Sequence, residues 1–299
     1  DEHYIIFLVL VSIMSKWKER LKKTRAVLAN NSNNLVIQGL ESGFRDDYEQ
    51  AIEDFDEALY GTLRTTETSI NANFYKAVAL VELDRKDEAI EIFKNILKHD
   101  KDNDAAWQNL GYIYFEMENY DEAIKCFNRA VKLEPKEIGS LQGQSQVFFE
   151  LKENKKALEI INKILKLDPD DTDALFLKCE ILIEMNRSEE VLKIIKDLKH
   201  NEDIISEIKE IESLAHGALG NNIKALECIN ESIQFESDNE ALWYNKACYL
   251  SLLDRKEEAN DALLIATSIE PENFNEIEKI SKDVDIIIVT DYGHGLISD

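Results

Sequence analysis

The sequence predicts an all-α protein built from tandem helical hairpins. Residues of the same class recur every 34 positions from residue 70 to residue 273, a period typical of stacked helix-turn-helix units. Helix breakers are few, since the 299 residues include only three Pro and ten Gly. Pro135, Pro169 and Pro271 all occupy one position of the repeat, which we interpret as the turn between units.

Small side chains mark two positions at which we expect paired helices to cross closely. With each unit numbered from residues 70, 104, 138, 172, 206 and 240, position 8 is always small: Ala77, Gly111, Ser145, Cys179, Ser213 and Ala247. Position 20 is small in all but one unit: Ala89, Ala123, Ala157, Val191, Ala225 and Ala259. Position 24 is large and apolar: Phe93, Phe127, Ile161, Ile195, Ile229 and Leu263. We expect these larger residues to fill the layer around the crossing.

Residues 104–137 resemble the tetratricopeptide repeat family in full. The resemblance rests on Trp107, Leu110, Gly111, Tyr114, Ala123, Phe127, Ala130 and Pro135. Residues 240–273 match the family pattern well, whereas 206–239 match it least, because Lys209 and His216 take usually apolar or aromatic positions. The resemblance implies a right-handed superhelical solenoid in which each hairpin covers the apolar face of its neighbour.

We predict seven repeats, and a segment at each end that lies outside them. The repeats are assigned to residues 32–69, 70–103, 104–137, 138–171, 172–205, 206–239 and 240–273. The first unit starts 38 residues before the second, so four residues are inserted, and we place the insertion within residues 61–73. After the last repeat, Phe274, Ile277, Ile280 and Val284 predict a C-terminal capping helix over residues 274–284.

The N-terminal residues carry an apolar segment at 1–14 and a basic amphipathic helix at 15–31. The apolar run from Tyr4 to Met14 is shorter than the roughly twenty residues of a membrane span. Residues 15–31 either cap the first repeat or touch an anionic membrane, so membrane contact through residues 4–25 is left open. Met14 is also a candidate for the natural start of the chain.

The last fifteen residues, 285–299, change to a strand-and-turn pattern. This tail resembles a strand and loop of ribokinase-type sugar kinases, but it lacks the Gly-rich anion site and catalytic Asp of such enzymes. A chance match, a fused peptide and a truncated downstream domain remain open as explanations. An exposed apolar strand is also a candidate element for self-association.

Catalytic and metal-binding patterns are missing from the repeats. The four cysteines form no CxxC pair, which predicts reduced packing residues and a cytoplasmic location. The five histidines are scattered, and none has the spacing of a helical zinc pair. No nucleophile elbow, phosphate loop or dinucleotide motif occurs in the repeats. We therefore predict a protein that is not an enzyme and that holds no metal or cofactor.

The charge of the chain is strongly acidic. Sixty Asp and Glu against 35 Lys and Arg give a formal net charge of −25, which argues against nonspecific binding of nucleic acid. The exception is the stretch from Ser15 to Arg25, in which six bases stand beside one acid. A solvated acidic surface that keeps the protein soluble is the simplest interpretation of the remainder.

A set of residues on the first helix of each repeat is predicted to line a concave groove. In the family resembled, repeat positions 2, 5, 9, 12 and 13 line or border that groove. The apolar and amide candidates are Phe74, Val78, Gln108, Tyr112, Phe115, Gln142, Gln146, Phe149, Phe176 and Ile183. The carboxylate candidates are Glu82, Glu116, Glu150, Glu180 and Glu184, of which four stand 34 residues apart. Helix propensity alone is the competing explanation for recurring Glu.

The resulting hypothesis is a non-catalytic scaffold for protein–protein interaction. Its partner would be a protein or peptide segment with apolar anchors and basic residues, held in the groove. The alternatives are a membrane-associated adaptor anchored by its N-terminal segment, and the regulatory fragment of a larger enzyme.

Overall fold

The computed structural model describes residues 34–43, 45–60, 66–198 and 204–269. This part of the chain consists of fourteen helices joined by short turns and contains no strand. The helices are α1 (Asn34–Gly43), α2 (Tyr48–Tyr60), α3 (Thr66–Glu82), α4 (Lys86–His99), α5 (Asp104–Glu116), α6 (Tyr120–Leu133), α7 (Ile138–Glu150), α8 (Asn154–Leu167), α9 (Thr172–Glu184), α10 (Ser188–Leu198), α11 (Ile205–Ala218), α12 (Asn222–Phe235), α13 (Glu240–Leu252) and α14 (Lys256–Ile269). The predicted fold class, all-α and built from repeated hairpins, is confirmed.

Several predictions concern residues outside the described ranges. They are the apolar segment at 1–14, the basic helix at 15–31, the capping helix at 274–284 and the strand-like tail at 285–299. The structure provides no test of them.

The chain divides into two compact units, residues 1–160 and 161–299. In the first unit, α1 to α7 pack as consecutive neighbours. One buried apolar cluster runs from α1 to α6, and a second joins α5, α6 and α7. In the second unit, α9 to α14 pack in the same way.

The turn inside each hairpin has one recurring geometry. After the first helix, a residue with positive φ reverses the chain: Asp46, Asp84, Glu118, Lys152, Asn186, Gly220 or Asp254. The next backbone N–H then donates to a carbonyl five residues earlier, as Asn119 does to Tyr114 at 2.8 Å. This pairing is a Schellman motif, which satisfies carbonyls that the helix end leaves free. A left-handed residue therefore fixes the direction in which the second helix starts.

Close packing of small residues against Phe rings holds the first unit together. Phe55, Phe93 and Phe127 are fully buried. A methyl group added at Gly111 would lie 2.9 Å from the Phe127 ring, and one added at Gly143, in the next hairpin, 2.3 Å from it. Those distances are shorter than van der Waals contact, so only a residue without a side chain fits there. One Phe thus joins its own hairpin to the next.

The second unit packs through buried serines and a tyrosine. Ser213, at position 8, is fully buried and its hydroxyl donates to the carbonyl of Ala225 at 2.9 Å. The Ser206 and Ser232 hydroxyls lie 3.0 Å apart in a buried contact. Gly217 lies against the ring of Tyr249, where an added methyl would meet the ring at 2.6 Å. The hydroxyls of these three serines are hydrogen-bonded, which offsets the cost of removing them from water.

Helix α3 is longer than the other first helices. It has 17 residues, whereas α5, α7, α9 and α13 have 13 each, so α3 has 17 − 13 = 4 more. The additional residues lie at its N-terminal end, because α3 ends at Glu82 at the repeat position where α5 ends at Glu116. One further helical turn thus accommodates four residues without changing the hairpin that follows.

Candidate functional site

The apolar members of the predicted groove are mostly buried. Phe149 and Ile183 are 3% exposed, Phe74 and Val78 8%, and Tyr112 and Phe176 9%. Phe115 is half-buried, with its ring 5.8 Å from that of Tyr120. These side chains therefore form part of the packed layer, and a partner would meet only their edges.

Two of the predicted aromatic residues pack on the second helix of their own hairpin. The ring of Phe74 lies edge-on to Phe93, with centroids 5.5 Å apart, and that of Tyr112 lies edge-on to Phe127 at 4.9 Å. Edge-to-face contact is a favoured arrangement of aromatic rings. Since Phe93 and Phe127 are the fully buried residues at position 24, Phe74 and Tyr112 stabilise the layer directly.

One of the three amide members, Gln108, contacts the residue that caps the next repeat. Gln108 Nε2 donates to Glu137 Oε2 at 2.8 Å. Glu137 also caps α7, because its carboxylate accepts from the backbone N–H groups of Gly139 and Ser140. Gln142 and Gln146 are half-buried on α7. Gln108 therefore has a structural role at the joint between two hairpins.

The side-chain oxygen of Gln146 is buried and accepts no hydrogen bond within the described part of the chain. A buried acceptor without a donor costs free energy, on the order of 1–3 kcal/mol.

The structure brings two of the predicted carboxylates together. Glu82 and Glu116 are both half-buried and interact electrostatically. Burial, followed by the charges of Glu116 and Asp46, raises the pKa of Glu82 to about 7. Burial also raises the pKa of Glu116, and Lys86 opposes that rise. The pair is a site where a further positive charge would be stabilising.

Lys86 provides only partial compensation for these acids. Its ammonium lies 3.4 Å from Glu116 Oε2 and 3.1 Å from Asp84 Oδ1. It is therefore shared between Glu116 and an exposed carboxylate of the preceding turn. For Glu82, no cation among the described residues offsets the burial and the negative charges that raise its pKa.

Among the other predicted carboxylates, Glu180 interacts electrostatically with Glu210 on α11, and burial is the main cause that raises the pKa of Glu210. Glu150 is half-buried at the end of α7. Glu180 and Glu184 are half-buried on α9, in the second unit.

Sequence reasoning missed Asp46, Tyr48 and Lys86. Asp46 lies in the turn between α1 and α2 and accepts a hydrogen bond from the Tyr48 hydroxyl at 2.9 Å. The repeat pattern did not indicate Asp46, because the first repeat starts 38 residues before the second. A period of 34 therefore does not align Asp46 with its equivalent, Asp84. Lys86 follows the turn of its hairpin, a position that the groove pattern did not include.

The four cysteines are buried and unpaired. Burial is the main cause that raises the pKa of Cys126, Cys179 and Cys248 to about 12 and that of Cys228 to about 11. Such thiols are poor nucleophiles and ligands at neutral pH. Over the described ranges, no group of three or more His, Cys, Asp or Glu residues is arranged to hold a metal ion.

None of the described helices has both the length and the apolar content that crossing a membrane requires.

Comparison with known proteins identifies the repeats. Three family models described as tetratricopeptide repeat match residues 71–103, 105–137 and 148–203. No curated protein matches the chain in sequence.

Two solved structures are similar in fold. A tetratricopeptide repeat protein from Parabacteroides merdae ATCC 43184 is 17% identical, with a TM-score of 0.70 over 82% of this chain and 96% of that one. Pseudomonas aeruginosa PilF is 16% identical, with a TM-score of 0.50 over 84% of this chain and 96% of that one. At these identities the similarity concerns the fold alone.

The repeated hairpins, Schellman turns and Gly–Phe contacts define an α-helical repeat protein. Because family models match three stretches, residues 71–103, 105–137 and 148–203 are identified as tetratricopeptide repeats. Proteins of this family are typically non-catalytic, and the fold supports a role as a protein–protein interaction scaffold.

Proposed function

We propose that this protein is a non-catalytic scaffold that binds a basic segment of a partner protein along the first helices of its repeats. The observation that carries the proposal is the pair formed by Glu82 and Glu116. These carboxylates are half-buried, and burial is the main cause that raises the pKa of both, although Lys86 opposes the rise at Glu116. A Lys or Arg of a partner placed at the pair would favour the ionised forms.

The partner's contacts would combine charge with a small apolar area. Phe115 is the half-exposed aromatic residue next to Glu116, whereas Tyr112 and Phe149 contribute edges only. The buried Gln146 oxygen offers an acceptor for a backbone N–H or an ammonium group. We propose that a partner segment follows the surface of the first unit bordered by Phe74, Val78, Glu82, Gln108, Tyr112, Phe115, Glu116, Gln142, Gln146, Phe149 and Glu150. In the second unit, we propose that Phe176, Glu180, Ile183 and Glu184 border a surface of the same kind.

The proposal includes a reducing, cytoplasmic-type compartment, because all four cysteines are unpaired. The two alternatives, a membrane-associated adaptor and the regulatory fragment of an enzyme, depend on residues 4–25 and 285–299, which lie outside the described residues.

Selection from a random peptide library by the full chain tests the proposal. We expect the bound peptides to be enriched in Lys and Arg and to contain an apolar residue nearby. A variant with Glu82→Gln and Glu116→Gln should bind the selected peptides at least about tenfold more weakly, a loss near 1.4 kcal/mol.

The matched control for this variant carries Asp121→Asn and Glu189→Gln. Both residues are exposed in the first turns of second helices, and the pair changes the net charge equally. Equal binding by the two variants, or selection of peptides without basic enrichment, would contradict the proposed site.

A further inference from the structure

The turn ends of the last two hairpins carry apolar side chains at repeat positions that are otherwise charged. Position 13 is glutamate in the four units from residue 70 to residue 205: Glu82, Glu116, Glu150 and Glu184. In the last two units it is Ala218 and Leu252. Position 18 is charged in five of the six units: Asp87, Asp121, Lys155, Glu189 and Glu257. In the remaining unit, residues 206–239, it is Ile223.

These apolar side chains lie on the surface of the second unit. Ile223 on α12 is 66% exposed, and Leu252 at the end of α13 is 43% exposed. Leu219, in the turn between α11 and α12, is 39% exposed, and Ala218 beside it is exposed as well. Single exposed apolar residues are ordinary, whereas a contiguous group of them marks a site of interaction. The question is therefore whether these residues are contiguous.

The ends of α11 and α13 are adjacent. Gly217 on α11 lies against the ring of Tyr249 on α13, where an added methyl would meet the ring at 2.6 Å. Ala218 follows Gly217 directly, and Leu252 lies about one helical turn after Tyr249. The close approach at Gly217 therefore brings Ala218 and Leu252 to one edge of the second unit.

The start of α12 meets the same edge. In the first unit, Lys86 Nζ, at position 17, lies 3.4 Å from Glu116 Oε2, at position 13 of the next repeat. This relationship, applied to the second unit, places Asn222 beside Leu252, and α12 and α13 pack against each other. Ile223 follows Asn222 directly. We call the resulting group the apolar edge: Ala218, Leu219, Ile223 and Leu252.

The charge of the second unit indicates what kind of chain would cover this edge. Its described residues, 161–198 and 204–269, include 21 Asp and Glu against 11 Lys and Arg. Lys224 and Lys256, which are close to the edge in sequence, do not reverse this excess. A second copy of this chain, with a net charge of −25, would be repelled, whereas a basic segment is attracted.

A crowded carboxylate on α11 adds to this preference. Glu210 lies eight residues before Ala218 on the same helix. Burial, followed by the charges of three other carboxylates, raises the pKa of Glu210: Glu180, Glu236 and Glu207. A cation of a partner would stabilise the ionised form of this group.

We propose that the apolar edge docks a large apolar side chain of a basic partner segment. The edge offers exposed apolar area, whereas most apolar residues of the predicted groove are buried. This inference rests on the proposed scaffold function, but it assigns a separate site, on residues that the groove pattern did not include.

Peptides selected by the full chain from a random library test the docking. Each peptide is compared with a version in which its apolar residue is Ser and with one in which its Lys and Arg residues are Gln. The edge variant carries Ile223→Gln and Leu252→Gln. The matched control carries Phe235→Gln and Leu264→Gln, which are 61% and 65% exposed in the same unit. Phe235 lies 12 residues from Ile223 at the other end of α12, about 18 Å away.

Fluorescence anisotropy should show a coupling between the peptide's apolar residue and the edge. We expect the edge variant to bind the unchanged peptide at least about fivefold more weakly, and the control variant to bind it normally. Replacing the apolar residue by Ser should cost about fivefold with the unaltered protein and less than about twofold with the edge variant. A change in the fold alone would not produce this coupling.

Two results would overturn the docking edge. The first is an equal cost of the Ser replacement with the unaltered protein and the edge variant. The second is a full chain that sediments as a dimer and becomes a monomer in the edge variant, since a second copy would then be the occupant. The proposed function fails by a different result, namely peptides whose Gln versions bind as tightly as the unchanged ones.

Discussion

The hydroxyl of Tyr112 donates a hydrogen bond to the backbone carbonyl of Gly139 at 2.6 Å. The two residues are 27 positions apart, on α5 and at the start of α7. The ring of Tyr112 also packs edge-on against Phe127. One side chain therefore joins three helices of the first unit, so its replacement affects stability before it affects any partner.

Tyr112→Phe should separate the hydrogen bond from the ring packing. We expect a loss of about 1 kcal/mol in the free energy of unfolding, because the carbonyl of Gly139 loses a donor while the ring keeps its place. Tyr112→Ala should cost roughly 3–5 kcal/mol, because it also leaves a cavity against Phe127. Urea unfolding followed by far-UV circular dichroism measures both values. A Tyr112→Phe variant of unchanged stability that binds selected peptides less tightly would instead place the hydroxyl in direct contact with the partner.

Glu82→Gln should stabilise the protein in a pH-dependent way. The folded-state pKa of about 7 lies above the ordinary value of 4.5, so the native state favours the protonated carboxyl. Below pH 4.5 the ionisation of Glu82 therefore does not change the free energy of unfolding. Above that pH it lowers the free energy of unfolding, and the loss increases until the pH passes about 7. We expect the variant to gain on the order of 1–3 kcal/mol at pH 8 and almost nothing at pH 4.5. Urea titrations at pH 4.5, 6 and 8 test this, with exposed Asp121→Asn as the control. A gain that is the same at all three pH values would contradict the assignment.

Binding of a basic peptide should depend on the same proton. Only ionised Glu82 attracts the partner's cation, and the group is mostly protonated below a pH of about 7. We expect affinity for a selected peptide to rise by up to about tenfold between pH 6 and pH 8. Fluorescence anisotropy with a labelled peptide measures the change, and Glu82→Gln should flatten the profile. A peptide that binds more tightly at pH 6 would rule out the pairing.

The period of 34 predicts the packed layer well. Residue size alone predicts that two helices cross closely at Gly111 and that Phe127 fills the layer around the crossing. In the structure, Gly111 lies directly against the Phe127 ring. Such contacts repeat with the backbone, so one aligned position predicts the next. The helical hairpins were predictable for the same reason.

The candidate site was only partly predictable, because side-chain exposure is not a property of repeat position alone. Tyr112 and Phe149 lie at groove positions in the family pattern, yet neighbouring rings and helices leave them less than a tenth exposed. The contribution of Asp46 to the pKa of Glu82 depends on a turn that the four-residue insertion shifts out of register. The pKa of Glu82 therefore depends on distances between charged side chains, which the repeat period does not specify.

Gly143→Ala should destabilise the first unit although alanine is the better helix former. The added methyl would meet the fully buried Phe127 ring at 2.3 Å, so the ring or α7 must move. Overpacking of this kind costs about 1–3 kcal/mol, which exceeds the propensity gain of about 1 kcal/mol. The additional change Phe127→Leu should make Gly143→Ala less costly, because it removes the ring that the methyl meets. Thermal unfolding of the four proteins of this cycle gives the coupling energy, and a zero value would contradict the contact.

Glu118→Gly should stabilise the protein, and Gly220→Ala should destabilise it, since both residues occupy the same left-handed position of the hairpin turn. Glu118 has φ 56° and Gly220 has φ 74°. A side chain costs roughly 1–2 kcal/mol in this conformation, whereas glycine adopts it freely but loses more entropy on folding. We therefore expect a net gain of about 0.5 kcal/mol for Glu118→Gly and a loss of about 1 kcal/mol for Gly220→Ala. No atom lies within 4 Å of the Cβ position at Gly220, so steric crowding does not enter that comparison. Chemical denaturation of both variants provides the measurement, and changes of the same sign would show that backbone strain does not govern these turns.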